Sequence, residues 1–183
     1  HCTCRRQRQM CIRDRTKPAH VNEKARSTVI VETGASILGT DNAVAGDDTD
    51  GLTVTNSGTI RANNSKAINL LDSINATITN NSGSTIRSKT NTISVSKSDI
   101  TPDNINITNS GTIYSTNAST NTILLHSNST NSTVTNNAGG HIYNESTAAT
   151  ITIGKTTTLT NSGKIENKKI DKVAITVDGA DST

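Results

Sequence analysis

Residues 107–113 read Ile107-Thr108-Asn109-Ser110-Gly111-Thr112-Ile113, and this short stretch decides the fold. Apolar and polar residues alternate on either side of an Asn-Ser-Gly turn, the pattern of two half-buried strands that meet at a corner. The same unit stands at Val54-Thr55-Asn56-Ser57-Gly58-Thr59-Ile60 and at Leu159-Thr160-Asn161-Ser162-Gly163-Lys164-Ile165. A lengthened form occupies 78–86, with Asn80 and Gly83, and 134–142, with Asn136 and Gly139. A weaker copy runs from Ile30 to Ile37. The glycines fall at 34, 58, 83, 111, 139 and 163, a period of 24–28 residues.

Between these copies lies a second apolar segment, seen in Ala67-Ile68-Asn69-Leu70-Leu71, Thr92-Ile93-Ser94-Val95-Ser96, Thr122-Ile123-Leu124-Leu125, Ile151-Thr152-Ile153 and Ile175-Thr176-Val177. Most of it alternates with period two, and β-branched residues dominate. One repeat is therefore three short strands. A unit of this size cannot bury its own apolar face, so copies must stack. Stacking at about 4.8 Å per coil pairs each strand in parallel with its equivalent and lines up the inward aliphatics. The expected fold is all-β: a right-handed parallel β-solenoid of about six coils over residues 23–183, its hand set by the general crossover preference. An all-β sandwich would not require one turn at one period. Gly and Asn tolerate left-handed backbone. Stacked Asn56, Asn80, Asn109, Asn136 and Asn161, with Gly58, Gly83, Gly111, Gly139 and Gly163, read as a structural turn and amide ladder.

Composition agrees with a thin, periodic core. Thr, Asn and Ser make up 74 of the 183 residues, hydrophobic residues are 31%, and Phe and Trp are absent. No apolar run approaches the length of a membrane-spanning helix. The scarcity of aromatics argues against an ordinary enzyme pocket. Residues 1–16 differ from the rest. Five Arg and Asp14 give them +4 against a chain total of +3, leaving −1 elsewhere, and they hold Cys2, Cys4, Cys11 and Met10. Their string Gln9-Met10-Cys11-Ile12-Arg13-Asp14-Arg15 resembles translated sequencing-adaptor sequence. Residues 1–22 are accordingly expected to be a non-native or disordered segment outside the solenoid. A basic nucleic-acid arm or a Cys-based metal site are the alternatives, but Cys2-x-Cys4 lacks zinc-ligand spacing.

The repeated Thr-Asn-Ser-Gly-Thr-Ile followed by an alternating strand resembles the β-solenoid passenger domains of bacterial autotransporters and related large surface adhesins, over residues 28–178. The likeness is one of repeat style. It implies a rod at the cell surface or secreted, on a Gram-negative outer membrane, exported through a C-terminal membrane barrel that this stretch does not include. The repeat array also lacks a clear polar cap at either end, so further coils are expected after Thr183.

Catalytic and metal chemistry finds little support in the residues. Asp41, Asp47, Asp48 and Asp50 precede Gly51 but lack the spacing of known calcium loops. Asp103, Glu145 and Glu166 are scattered, and His20, His126 and His141 stand singly. No phosphate-binding glycine loop or serine elbow is present. Sequons such as those at Asn75, Asn106 and Asn131 are what this composition produces by chance. Tyr114 and Tyr143 each follow the repeat Ile of neighbouring coils and form the candidate contact patch. No catalytic residue, metal, cofactor or nucleic-acid partner is expected. The expectation is a non-catalytic stalk or adhesive segment that meets a host or neighbour-cell receptor or glycan. A polysaccharide-binding or -degrading β-helix of tailspike or lyase type is the alternative. A lattice-binding face would need Thr-x-Thr in every coil, whereas Val54-Thr55 and Ile107-Thr108 suggest single Thr ranks.

Overall fold

A computed structural model describes residues 26–116 and 119–178 and the backbone of Arg8–Ile12 and Ala19–Asn22. These residues form no helix and wind into three parallel sheets of seven, six and seven strands, a β-solenoid of about six coils. The first sheet stacks Arg8–Ile12, Ser27–Val31, Thr53–Asn56, Thr77–Asn80, Asn106–Asn109, Thr133–Asn136 and Thr158–Asn161. The second stacks Ser36–Gly39, Thr59–Ala62, Thr85–Ser88, Thr112–Ser115, His141–Asn144 and Lys164–Asn167. The third stacks Ala19–Asn22, Val44–Asp47, Ile68–Leu71, Ile93–Ser96, Ile123–Leu124, Ile151–Ile153 and Ile175–Val177.

Period-two alternation turns every second side chain inward. Val54, Ile78, Ile107 and Val134 form one column, Ile37, Ile60, Ile86, Ile113 and Ile142 a second, and Val44, Ile68, Ile93, Ile123 and Ile151 a third, each buried. Each fully buried aliphatic contributes about 1.5–3 kcal/mol. Columns need a coil on both sides to be covered. Leu159 and Ile165 of the last described coil are only partly buried, and Ile175 and Val177 are exposed.

The final residue of the first-sheet strands from Ser27–Val31 to Thr133–Asn136 also points inward, and from Thr53–Asn56 onward the strands end in Asn. Asn56 Nδ2 donates to Asn80 Oδ1, Asn80 to Asn109, Asn109 to Asn136 and Asn136 to Asn161, each at 2.8 Å. The first four are fully buried. Their sequence separations are 24, 29, 27 and 25 residues. The coil length is thus 24–29 residues rather than the 24–28 read from glycine spacing.

That difference arises because the repeat glycines occupy two structural positions. In the lengthened turns Gly34, Gly83 and Gly139 have φ of 79°, 77° and 81°. Each is the third residue of a turn closed by a backbone bond, as Ala35 N–H to Glu32 O at 3.0 Å, and this left-handed position favours glycine. In the short turns Gly58, Gly111 and Gly163 serve a different need. A Cβ at Gly58 would overlap the carbonyl oxygens of Ala35 and Glu32 in the coil before it. Gly111 meets Asn81 and Ser84, and Gly163 meets Asn137 and Gly140, in the same way. Short and long turns alternate along the rod, each short one seated against the carbonyls of a long one. The Asn side chain closes the short turn, Asn109 Oδ1 accepting from Gly111 N–H at 3.2 Å.

Residues 1–22 were expected to lie outside the solenoid, and here the structure differs. Arg8–Ile12 pairs in parallel with Ser27–Val31, and Ala19–Asn22 with Val44–Asp47. An open first coil presents unpaired N–H and C=O groups, which any adjacent extended backbone satisfies whatever its composition. Cys2, Cys4 and the Cys11 side chain lie outside the described residues.

Two outcomes follow for unfolding measurements. Ile113→Asp buries an unpaired charge and should cost about 3–5 kcal/mol, whereas Thr112→Ala on the outer face should cost under about 1 kcal/mol. Gly83→Ala has open space and should lose only about 1 kcal/mol to backbone strain, with Gly83→Asn closer to the parent. Gly58→Ala should lose more, and Gly58→Asn should not recover it. Equal losses at Gly58 and Gly83 would contradict the two-position assignment.

Candidate functional site

The core is filled by aliphatics and closed by the Asn ladder, so the candidate surfaces are the outer faces of the sheets. On the first sheet the register sets Thr53, Thr77, Asn106, Thr133 and Thr158 in one outward rank and Thr55, Thr79, Thr108, Thr135 and Thr160 in a second. Four coils therefore carry Thr-x-Thr and one carries Asn-x-Thr, where the sequence suggested single ranks. The loops that vary in length lie off this face and leave its register unbroken.

Polar corners widen the face. Asn75, Asn104 and Asn131 adopt left-handed backbone with φ of 55°, 54° and 48°. Asn75 Nδ2 donates to Asp50 Oδ1 at 2.8 Å, Asn104 Nδ2 to Asn75 Oδ1 at 2.9 Å, and Asn131 Nδ2 to Asp103 Oδ1 at 2.9 Å. On the other border Asn81 Nδ2 bonds Ser57 Oγ at 2.8 Å and Asn137 Nδ2 bonds Ser110 Oγ at 2.9 Å. The described side chains in the two ranks are uncharged.

The second sheet carries the chemistry. Its central outward rank runs Leu38, Arg61, Arg87, Tyr114, Tyr143 and Glu166. Tyr114 and Tyr143 stack at 4.7 Å between centroids and 7° between planes. Lys168 holds its ammonium 3.5 Å from the Tyr143 ring centroid, on the face Tyr114 leaves open. Both faces of Tyr143 are thereby covered, and its edge and hydroxyl remain for contact. Burial first, then Tyr114 and Glu145, push the Tyr143 hydroxyl up to about 12, so it is a neutral donor at physiological pH.

His141 is not isolated. It pairs with Lys164 in register, and Tyr143 pairs with Glu166, which makes His141 and Glu166 diagonal neighbours. His141 Nε2 lies 2.8 Å from Glu166 Oε1, and Lys164 Nζ lies 2.6 Å from Glu166 Oε2. The bond from Lys164 and the one from His141 hold the Glu166 carboxyl below its ordinary range, against the opposing effect of partial burial. Lys168 Nζ reaches Glu145 Oε1 at 3.4 Å.

Toward the first coils, Arg61, Ala62, Asn63, Arg87, Ser88, Lys89 and Thr116 line a shallow cleft of about 230 Å³. Arg61 and Arg87 each follow a repeat Ile, as the two Tyr do, so their rank was readable from that position. The acidic stretch does not converge: Asp50 is held by Asn75, Asp48 sits in a left-handed turn and Asp41 is exposed. Asp103 accepts from Thr130 and Asn131. No group of three His, Cys, Asp or Glu among the described residues is placed to hold a metal ion. Asp72, passed over in the sequence, receives the backbone N–H groups of Ser98, Asp99 and Ile100 at 2.7, 3.0 and 3.0 Å and pins the longest loop. Comparison with known proteins finds no matching family model, no matching curated protein and no matching solved structure.

The lowered carboxyl of Glu166 gives a pH prediction. A depressed folded-state value means stability that is present above the unfolded value near 4.5 and lost as pH falls through the lower folded one. Glu166→Gln should therefore lower the thermal midpoint at neutral pH, and the difference should vanish on acidification below the ordinary carboxylate range. A difference independent of pH would rule out the ion cluster as its cause.

Proposed function

We propose that the chain is a non-catalytic, surface-exposed stalk or adhesive segment of an autotransporter-type adhesin, displayed at a Gram-negative cell surface or secreted. The observation that carries this reading is the pairing of a filled aliphatic core with long uncharged ranks of Thr and Asn on the outer face. Catalysis needs titratable groups converging on a substrate-sized pocket. The His141, Glu166 and Lys164 cluster instead satisfies its own charges on an open sheet. Regular hydroxyl and amide rows make many weak contacts, and their strength grows with coil number and with copies on one surface. The double Thr rank also favours a second reading, binding to an ordered lattice such as ice.

One experiment separates these readings. Beads coated with the purified chain should adhere to cells or glycan-coated surfaces, while the free chain binds weakly and leaves the glycans intact. Thr79→Tyr with Thr108→Tyr, which roughens the first face, should reduce adhesion without unfolding the chain. Glycan turnover abolished by changing one carboxylate would replace the adhesive reading with the polysaccharide-degrading one. Inhibition of ice recrystallisation, lost in the Tyr variant, would favour the lattice.

A further inference from the structure

We infer that the cleft over the second sheet binds an acidic polysaccharide, a glycan bearing carboxylate or sulfate groups. This rests on the contact reading above and names a partner class for one part of that surface. Arg61 and Arg87 are register partners on adjacent strands, so their Cα atoms are about 4.8 Å apart. Like charges directly opposite on neighbouring strands repel. Lys89 adds a third cation to the same cleft.

Elsewhere on this sheet lysines are matched, Lys164 by Glu166 and Lys168 by Glu145. Among the described residues no carboxylate pairs with Arg61, Arg87 or Lys89. An anion in the cleft relieves the repulsion, and planar guanidinium groups suit two-point contact with carboxylate or sulfate. Asn63 and Thr116 in the lining supply amide and hydroxyl groups for sugar hydroxyls. A polyanion laid along the rod meets Arg61 and Arg87 at the coil spacing and then the Tyr114 ring.

The occupant is a glycan rather than a nucleic acid or a membrane. Three cations are a small footprint, and the chain beyond residue 16 sums to −1, without the extended basic surface a nucleic acid needs. Both faces of Tyr143 are covered, which closes it as a platform for base stacking. A lipid surface calls for apolar side chains beside the cations, and the lining offers only Ala62.

The test is retention of the full chain on immobilised alginate, dextran sulfate, neutral dextran and single-stranded DNA at fixed ionic strength. Retention is expected on alginate, dextran sulfate or both, the pair telling carboxylate from sulfate, with none on neutral dextran. The Arg61→Gln/Arg87→Gln variant should bind about tenfold more weakly. Its thermal midpoint should match or exceed that of the parent, because a repulsion is removed. Arg5→Gln/Arg6→Gln should leave acidic-glycan retention unchanged, which excludes the basic N-terminal residues as its source. Undiminished retention in the cleft variant, equal retention on neutral dextran, or tighter retention on DNA would overturn the proposal. Bead adhesion without acidic-glycan retention would sink the cleft and spare the contact reading. Glycan turnover combined with cleft-dependent retention would do the reverse.

Discussion

From Thr53–Asn56 onward the first-sheet strands end in an amide, and its own turn meets only part of its bonding capacity while the next coil supplies the rest. Asn56, Asn80, Asn109 and Asn136 have no exposed surface, and each donates to the Asn of the following coil. An unpaired buried amide costs about 1–3 kcal/mol. A slip of one residue would turn the Asn outward and the aliphatic columns with it. The ladder therefore fixes register, and register places everything on the outside.

From that register the surface follows. The Thr ranks, the stacked Tyr pair and the Arg61–Arg87 neighbours are all made by residues 24–29 apart in sequence and one coil apart in space. The outer faces are consequently read as columns. One is uncharged and mostly Thr, with Asn106 and Ile30 as its exceptions. Another changes along the rod from cationic through aromatic to a closed ion cluster at Glu166. A single scaffold thus presents different chemistry on different faces at little cost to the core, because the outward positions carry few packing constraints.

Much of this was legible in the repeat itself. Ile107, Asn109 and Ile113 declare which residues face in, and the Tyr114–Tyr143 stack follows from their shared place after the repeat Ile. What the sequence concealed has physical causes. Short and lengthened turns look alike as strings, yet Gly58 is needed for close approach and Gly83 for backbone conformation. Asn75 and Asn131 resembled chance sequons until pairing put them, with Asn104, at one left-handed corner. His141 looked solitary because Glu166, its partner, lies 25 residues away. The backbone pairing of Arg8–Ile12 escaped notice because an open sheet edge selects for extended backbone rather than for composition.

The central claim is that coil-to-coil amide bonding sets the register, and a pair of double-mutant cycles tests it most directly. Asn80→Ala and Asn109→Ala, neighbours in the ladder, should be coupled by about 0.5–3 kcal/mol in equilibrium unfolding. Asn56→Ala and Asn136→Ala, separated by two intervening coils, should be additive within about 0.5 kcal/mol. Coupling in the first cycle and none in the second is the result this account predicts. Additivity in both would contradict it.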